Sequence, residues 1–202
     1  MNCKCNNKVE KKIGTISCSS TGQLDENSVY SSCGCEEDML IEIKGLCSAE
    51  KLENMDTGTT WTQVFIPEVL CIPEQKPDVE QVASIVARVE IISQRVVKTP
   101  IFKLEDGTIL ENNEGTKVTG RKLVIEGILR QKIIYTADVK EQSMHSAHFD
   151  VPFSAFIILE EDASLVDRYS IQPCIEDIFV CRVSKRQIFK NVTLFIKATK
   201  CS

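Results

Sequence analysis

From Met39 to the end of the chain, apolar and polar residues alternate in steps of two, and the pattern recurs at least six times. A strand turns successive side chains to opposite faces, so this period marks half-buried β-strands. In 85–91, Ile85, Ala87, Val89 and Ile91 share a face, with Arg88 and Glu90 opposite. In 123–135, Leu123, Ile125, Leu129, Ile133 and Tyr135 oppose Lys122, Glu126, Arg130 and Lys132. In 145–159, Ala147, Phe149, Val151, Phe153, Ala155, Ile157 and Leu159 alternate with Ser146, His148, Asp150 and Ser154. Residues 39–47 read as a first strand, and 175–183 and 187–199 as the last two, with Ile188, Val192, Leu194 and Ile196 on one side. Residues 61–73 are apolar on both faces and predict a buried strand, interrupted by Pro67 at an edge or bulge.

Turn residues punctuate these runs: Asp106-Gly107, Asn112-Asn113-Glu114-Gly115 and Ser184-Lys185-Arg186. One helical signal stands among them. Asp78 and Gln81 have capping-box spacing, and Val79, Val82, Ala83 and Val86 follow at helical intervals, which predicts a turn or two of helix. The expected fold is therefore mainly all-β. It is an antiparallel β-sandwich or jelly-roll-like single domain over 39–202, with at most one or two short helices.

Residues 1–38 break the pattern. They are rich in Asn, Ser, Lys and Glu, sustain no period, and read as a flexible arm. Five of the chain's ten cysteines fall here: Cys3, Cys5, Cys18, Cys33 and Cys35. A thiol on an arm has little to pack against, so its use is to react or to ligate. In Cys3-Lys4-Cys5 and Cys33-Gly34-Cys35 a bridge within the pair is strained, and each pair reaches outward more easily. The arm cysteines and the terminal Cys201 are the candidates for inter-subunit disulfides. Cys47, Cys71, Cys174 and Cys181 lie in strand-like segments and read as buried or intramolecular. Zinc knuckles use C-x₂₋₄-C, which is absent here, so no metal and no cofactor are expected. The C-x-C spacing keeps thiol–metal binding as a third reading. Residues 13–18, I-G-T-I-S-C, alternate briefly and could add to a neighbour's sheet edge.

The net charge of −5 and a pI near 5.2 argue against a nucleic-acid partner. No apolar run approaches the ~20 residues that span a bilayer, and no secretory signal is visible, so synthesis in the cytoplasm without a signal peptide is expected. The two histidines, His145 and His148, are offset by three on a strand and face opposite ways, which defeats a shared metal. Glu160-Glu161-Asp162 lacks calcium-loop spacing and reads as a solvated turn. Pro73-Glu74-Gln75-Lys76-Pro77 reads as a fixed turn or a docking loop. No motif of a hydrolase, metalloprotease or nucleotide-binding enzyme occurs, and no enzymatic activity is expected.

Six blocks carry a resemblance: C-I-P-E-Q-K-P-D-V-E-Q-V at 71–82, K-V-T-G-R-K-L-V-I-E-G at 117–127, K-I-I-Y-T-A-D at 132–138, M-H-S-A-H-F-D-V-P-F-S-A-F-I at 144–157, I-E-D-I-F-V at 175–180 and R-Q-I-F-K-N-V-T-L-F-I at 186–196. In this order they resemble the SPOCS domain of clostridial spore coat and envelope proteins. The resemblance implies a β-rich domain without known catalytic activity, made in the mother cell and used in building the spore surface. With one domain copy and a cysteine-rich arm, the chain looks like a self-assembling coat or appendage subunit. Such a subunit would be its own partner, a homopolymer joined through the arm, and would meet other coat proteins. The alternative is a non-polymerising coat or envelope binding module.

Overall fold

The computed structural model describes residues 41–53, 60–111 and 115–201. The chain divides into two units, Met1–Ser31 and Ser32–Ser202, and every described residue belongs to the second. Residues 1–40, with Cys3, Cys5, Cys18, Cys33, Cys35 and the 13–18 segment, lie outside the description.

Among the described residues, seven strands and one short helix follow in the order β1 (Glu42–Lys44), α1 (Ala49–Glu53), β2 (Trp61–Cys71), β3 (Val79–Ile101), β4 (Thr119–Ala137), β5 (Met144–Ile158), β6 (Tyr169–Ser184) and β7 (Gln187–Lys200). They form two sheets, one ordered β1-β3-β4-β5 and the other β2-β7-β6. All pairings are antiparallel except β1 on β3. The sheets stack face to face as a sandwich, with β2 beside β5 and β6 beside β3.

Alternation puts the core where the sequence wrote it. Leu123, Ile125, Leu129, Ile133 and Tyr135 of β4 are fully buried, and so are Ile188, Val192, Leu194 and Ile196 of β7. Burial of each such side chain contributes about 1.5–3 kcal/mol. Gly127 sits in the same inward row of β4, opposite Phe153 of β5. A Cβ there would meet the Phe153 ring at 2.5 Å, so the missing side chain is what seats the aromatic.

The helix expected near 78–86 is a strand, the first third of β3. Register shifts fall between Val79 and Gln81 and between Val82 and Ser84. Each bulge adds a residue, so Val79, Val82 and Ile85 reach the same buried face at intervals of three. Bulged strand thus imitated helical spacing. The one helix among the described residues is elsewhere, at Ala49–Glu53. Of the strand expected over 39–47, residues 39–40 lie outside the described residues; the structure shows strand at Glu42–Lys44, ended by Gly45 (φ +103°).

β2 is also corrected. It pairs with β7 in unbroken register through Pro67, and its outer edge takes no partner among the described residues. An edge strand accommodates proline because that position owes no outward donor. One face buries Ile66 and Leu70, whereas Phe65 and Val69 are 64% and 54% exposed. The strand is therefore half-buried, not buried on both faces. Ser184 and Gln187 close the β6–β7 hairpin around Lys185-Arg186.

Candidate functional site

Three features separate this sandwich from a plain scaffold: one side is stapled, the opposite side is open, and one layer of the core is polar.

The stapled side is where β3 and β6 meet. β1 pairs with Ser84–Val86 of β3, and its Ile43 packs against the core. Gly45 then passes so close to β3 that a Cβ would lie 1.9 Å from the Ala87 carbonyl oxygen. Beyond it, the Cys47 N–H donates to the Ile175 carbonyl of β6 at 2.9 Å. Cys47 and Cys174 form a disulfide with Cα atoms 5.6 Å apart. Cys47 and Leu52 of α1 pack with Cys174 over Phe195 on the outer face of the β2-β7-β6 sheet. One short segment thus runs from one sheet to the back of the other.

The open side is where β2 and β5 meet. Neither strand has an outer partner among the described residues. A groove between them is lined by Trp61, Gln63, Val64, Ser154 and Phe156. Trp61 stacks on Phe195 at 5.4 Å, and Lys122 lies 4.2 Å over the Phe156 ring.

The two outer faces differ in chemistry. On the β1-β3-β4-β5 sheet, Arg130 bonds Glu90 at 2.6 Å and Asp150 at 3.2 Å, so one guanidinium spans three strands. That hydrogen bond and charge hold the Glu90 carboxyl below the usual glutamate range. Glu126 is lowered in the same direction by the Ser93 hydroxyl and then by Arg95. On the β2-β7-β6 sheet, Phe65 and Val69 of β2 and Phe179 of β6 stand exposed, and Phe179 meets Phe189 edge-on at 6.1 Å.

Cys181, buried on this apolar face opposite Phe189, is disulfide-bonded, with neither Cys47 nor Cys174 as its partner. Cys71 is half-buried at the end of β2 opposite Gln187. Cys201 is an exposed free thiol directly after β7. The structure brings Cys47 together with Cys174 and leaves Cys201 apart from both.

His145 packs on Tyr135 and contacts the Ser143 hydroxyl at 3.1 Å, whereas His148 is exposed on the other face of β5. Glu161 of the acidic run pairs with Lys103. The 73–77 turn is clamped by Arg186, which donates to the carbonyls of Ile72, Pro73 and Lys76 and to Asp78. Among the described residues no helix is long and apolar enough to cross a membrane.

The polar core layer escaped the sequence reading. Glu68 of β2 lies between Ile66 and Leu70, Gln131 of β4 between Leu129 and Ile133, and Lys190 of β7 between Ile188 and Val192. Glu68 and Lys190 are direct cross-strand partners. All three point inward and divide the core into two apolar clusters. Lys190 Nζ is 2.5 Å from Glu68 Oε1, and the Gln131 amide nitrogen donates to that same oxygen at 2.6 Å. Lys190 is 0% exposed, and burial pushes its ammonium below the usual lysine range, against the pull of Glu68. The signal was present in the sequence: each residue interrupts an apolar face with a polar side chain at the inward phase.

The SipL, SPOCS domain family model matches residues 78–183, more than half of the 202 residues. The match takes in β3 to β6 and stops short of β2 and β7. No curated protein and no solved structure matches the chain.

Proposed function

The chain belongs to the SPOCS domain family of spore-associated proteins, and from that premise we propose that it is a structural, self-assembling subunit of the spore surface. In this reading the sandwich is the building block, and it performs no catalysis. Residues 1–38 join one subunit to the next, and Cys3, Cys5, Cys18, Cys33, Cys35 and Cys201 supply covalent links between them. Oxidation of such contacts would convert association governed by mass action into permanent assembly.

The observation that supports this reading best is the open side. Two strand edges lie side by side there, with a groove between them. Unpaired edges template the addition of another chain. The other side of the same molecule is stapled shut, so association would be directional.

The exposed apolar face bearing Phe65, Val69 and Phe179 favours a second reading, a coat or envelope module that docks a partner without polymerising. Electron microscopy and non-reducing gels of oxidised full-length protein separate the two. Assembly predicts polymers and a ladder of covalent multimers that collapses with reductant. A dispersed monomer, with every arm cysteine free or bridged within one chain, would overturn it.

A further inference from the structure

We propose that Lys190 and Gln131 join in an intramolecular isopeptide bond, with Glu68 as proton shuttle, so that β7 of one sheet is covalently tied to β4 of the other. The geometry is that of an amine, a carboxamide and a carboxyl gathered in one buried layer. Both nitrogens lie on one oxygen, Glu68 Oε1, at 2.5 Å and 2.6 Å. The buried Gln131 carbonyl oxygen and Glu68 Oε2 have no hydrogen-bond partner among the described residues. Two unsatisfied oxygens beside a buried ion pair are a costly arrangement for a purely structural lock.

The surroundings favour the reactive protonation states. Isoleucines 66, 133 and 188 and Leu70, Leu129 and Val192 enclose the trio above and below. Separated charges are expensive in such a medium, and burial favours the neutral amine of Lys190; in the proposed step the proton it sheds passes to Glu68. A neutral amine is the nucleophilic form.

The chemistry balances without a co-reactant. The Lys190 Nζ lone pair attacks Gln131 Cδ and forms the new C–N bond. The Glu68 carboxylic acid gives its proton to the departing Nε2, and the carboxylate so formed takes one back from the added nitrogen. The old C–N bond breaks and ammonia leaves. Amine and primary amide have become secondary amide and ammonia, and Glu68 is unchanged.

The test is intact-mass measurement of the folded, then fully reduced, full-length protein. The expected result is a mass about 17 Da below that of the sequence, the loss of one ammonia. Trypsin should then yield a branched peptide, residues 131–132 joined to 187–197 with cleavage after Lys190 blocked. Glu68→Gln should restore the full mass. Lys190→Met should do so too, and both variants should lower thermal stability. A wild-type protein of full sequence mass, with separate Gln131 and Lys190 peptides, overturns the bond whatever the variants do. An ammonia loss that maps elsewhere, or that persists in Lys190→Met, overturns it equally. Persistence in Glu68→Gln removes Glu68 from the step. None of these readings depends on whether the protein polymerises.

Discussion

The two long sides of the sandwich solve the same problem in opposite ways. At the β3/β6 side, residues 41–53 add a short strand to one sheet, bond the other and lock to it by sulfur. At the β2/β5 side both edges stand without partners among the described residues. Exposed edges are a hazard that most sheet proteins cover or charge. A molecule that covers one side so thoroughly can hold its fold from there and leave the other side for contacts. On the proposed reading stability and association fall on different strands, and substitutions should affect them separately.

The largest effect should come from the sulfur. The Cys47–Cys174 bond closes a loop with a sequence separation of 127 residues. Chain-entropy arguments give about 4–5 kcal/mol for a loop that long. Cys47→Ser with Cys174→Ser should therefore lower Tm by about 10–20 °C for a domain of this size. The measurement is calorimetry with and without reductant. Multimer yield, measured at a temperature where the variant is folded, should be unchanged. An unaltered Tm would mean that the closed side is held by something other than its disulfide.

A smaller loss should follow from Gly45→Ala. The position combines φ +103° with a Cβ that would sit 1.9 Å from the Ala87 oxygen. Strained backbone of this kind costs about 1–3 kcal/mol, and here β1 must also lift from β3. Hydrogen exchange should show Ser84–Val86 losing protection while β4 and β7 keep theirs.

That the strands were legible and the staple was not has a physical basis. Alternation is local, and Leu123 to Tyr135 or Ile188 to Ile196 could be assigned to a buried face from the chain alone. Three things were non-local. The bulges of β3 depend on a partner strand, so Val79, Val82 and Ile85 passed for helix. The exposure of Phe65 and Val69 depends on β2 being an edge, which Pro67 signalled only as one alternative beside a bulge and which the sheet order decides. The pairing of Cys47 with Cys174 joins residues far apart in sequence. The polar layer lies between these cases. Glu68, Gln131 and Lys190 each broke an apolar face visibly, but only stacking the two sheets shows that the three breaks coincide.

On the open side the comparison predicts the reverse pattern. Phe156 projects from β5 into the lining of the groove, is 50% exposed and carries Lys122 over its ring. Phe156→Lys should change stability by no more than about 1 kcal/mol, the worth of one exposed cation–π contact. A lysine on an edge opposes strand addition, so multimer formation should fall several-fold by light scattering or gel. If association survives Phe156→Lys and fails in the cysteine pair instead, the two sides have been assigned the wrong way round.

The smallest effect concerns the one feature that crosses from side to side. Arg130, bonded to Glu90 of β3 and Asp150 of β5, links the covered strand to the open one across β4. The Glu90 carboxyl is lowered first by the Arg130 hydrogen bond and then by its charge. A carboxyl whose folded value lies below its unfolded one stabilises the fold above the unfolded value. That contribution disappears as the pH falls through the folded value. Stability should therefore decline below about pH 4, where glutamate ordinarily takes up its proton. Arg130→Leu should flatten that decline, and high salt should weaken it in the wild type, because the group is solvent-exposed. Thermal melts at stepped pH measure the slope. Equal slopes in wild type and Arg130→Leu would show that the link across the sheet contributes nothing. Each side of the sandwich would then answer to acid through its own strands alone.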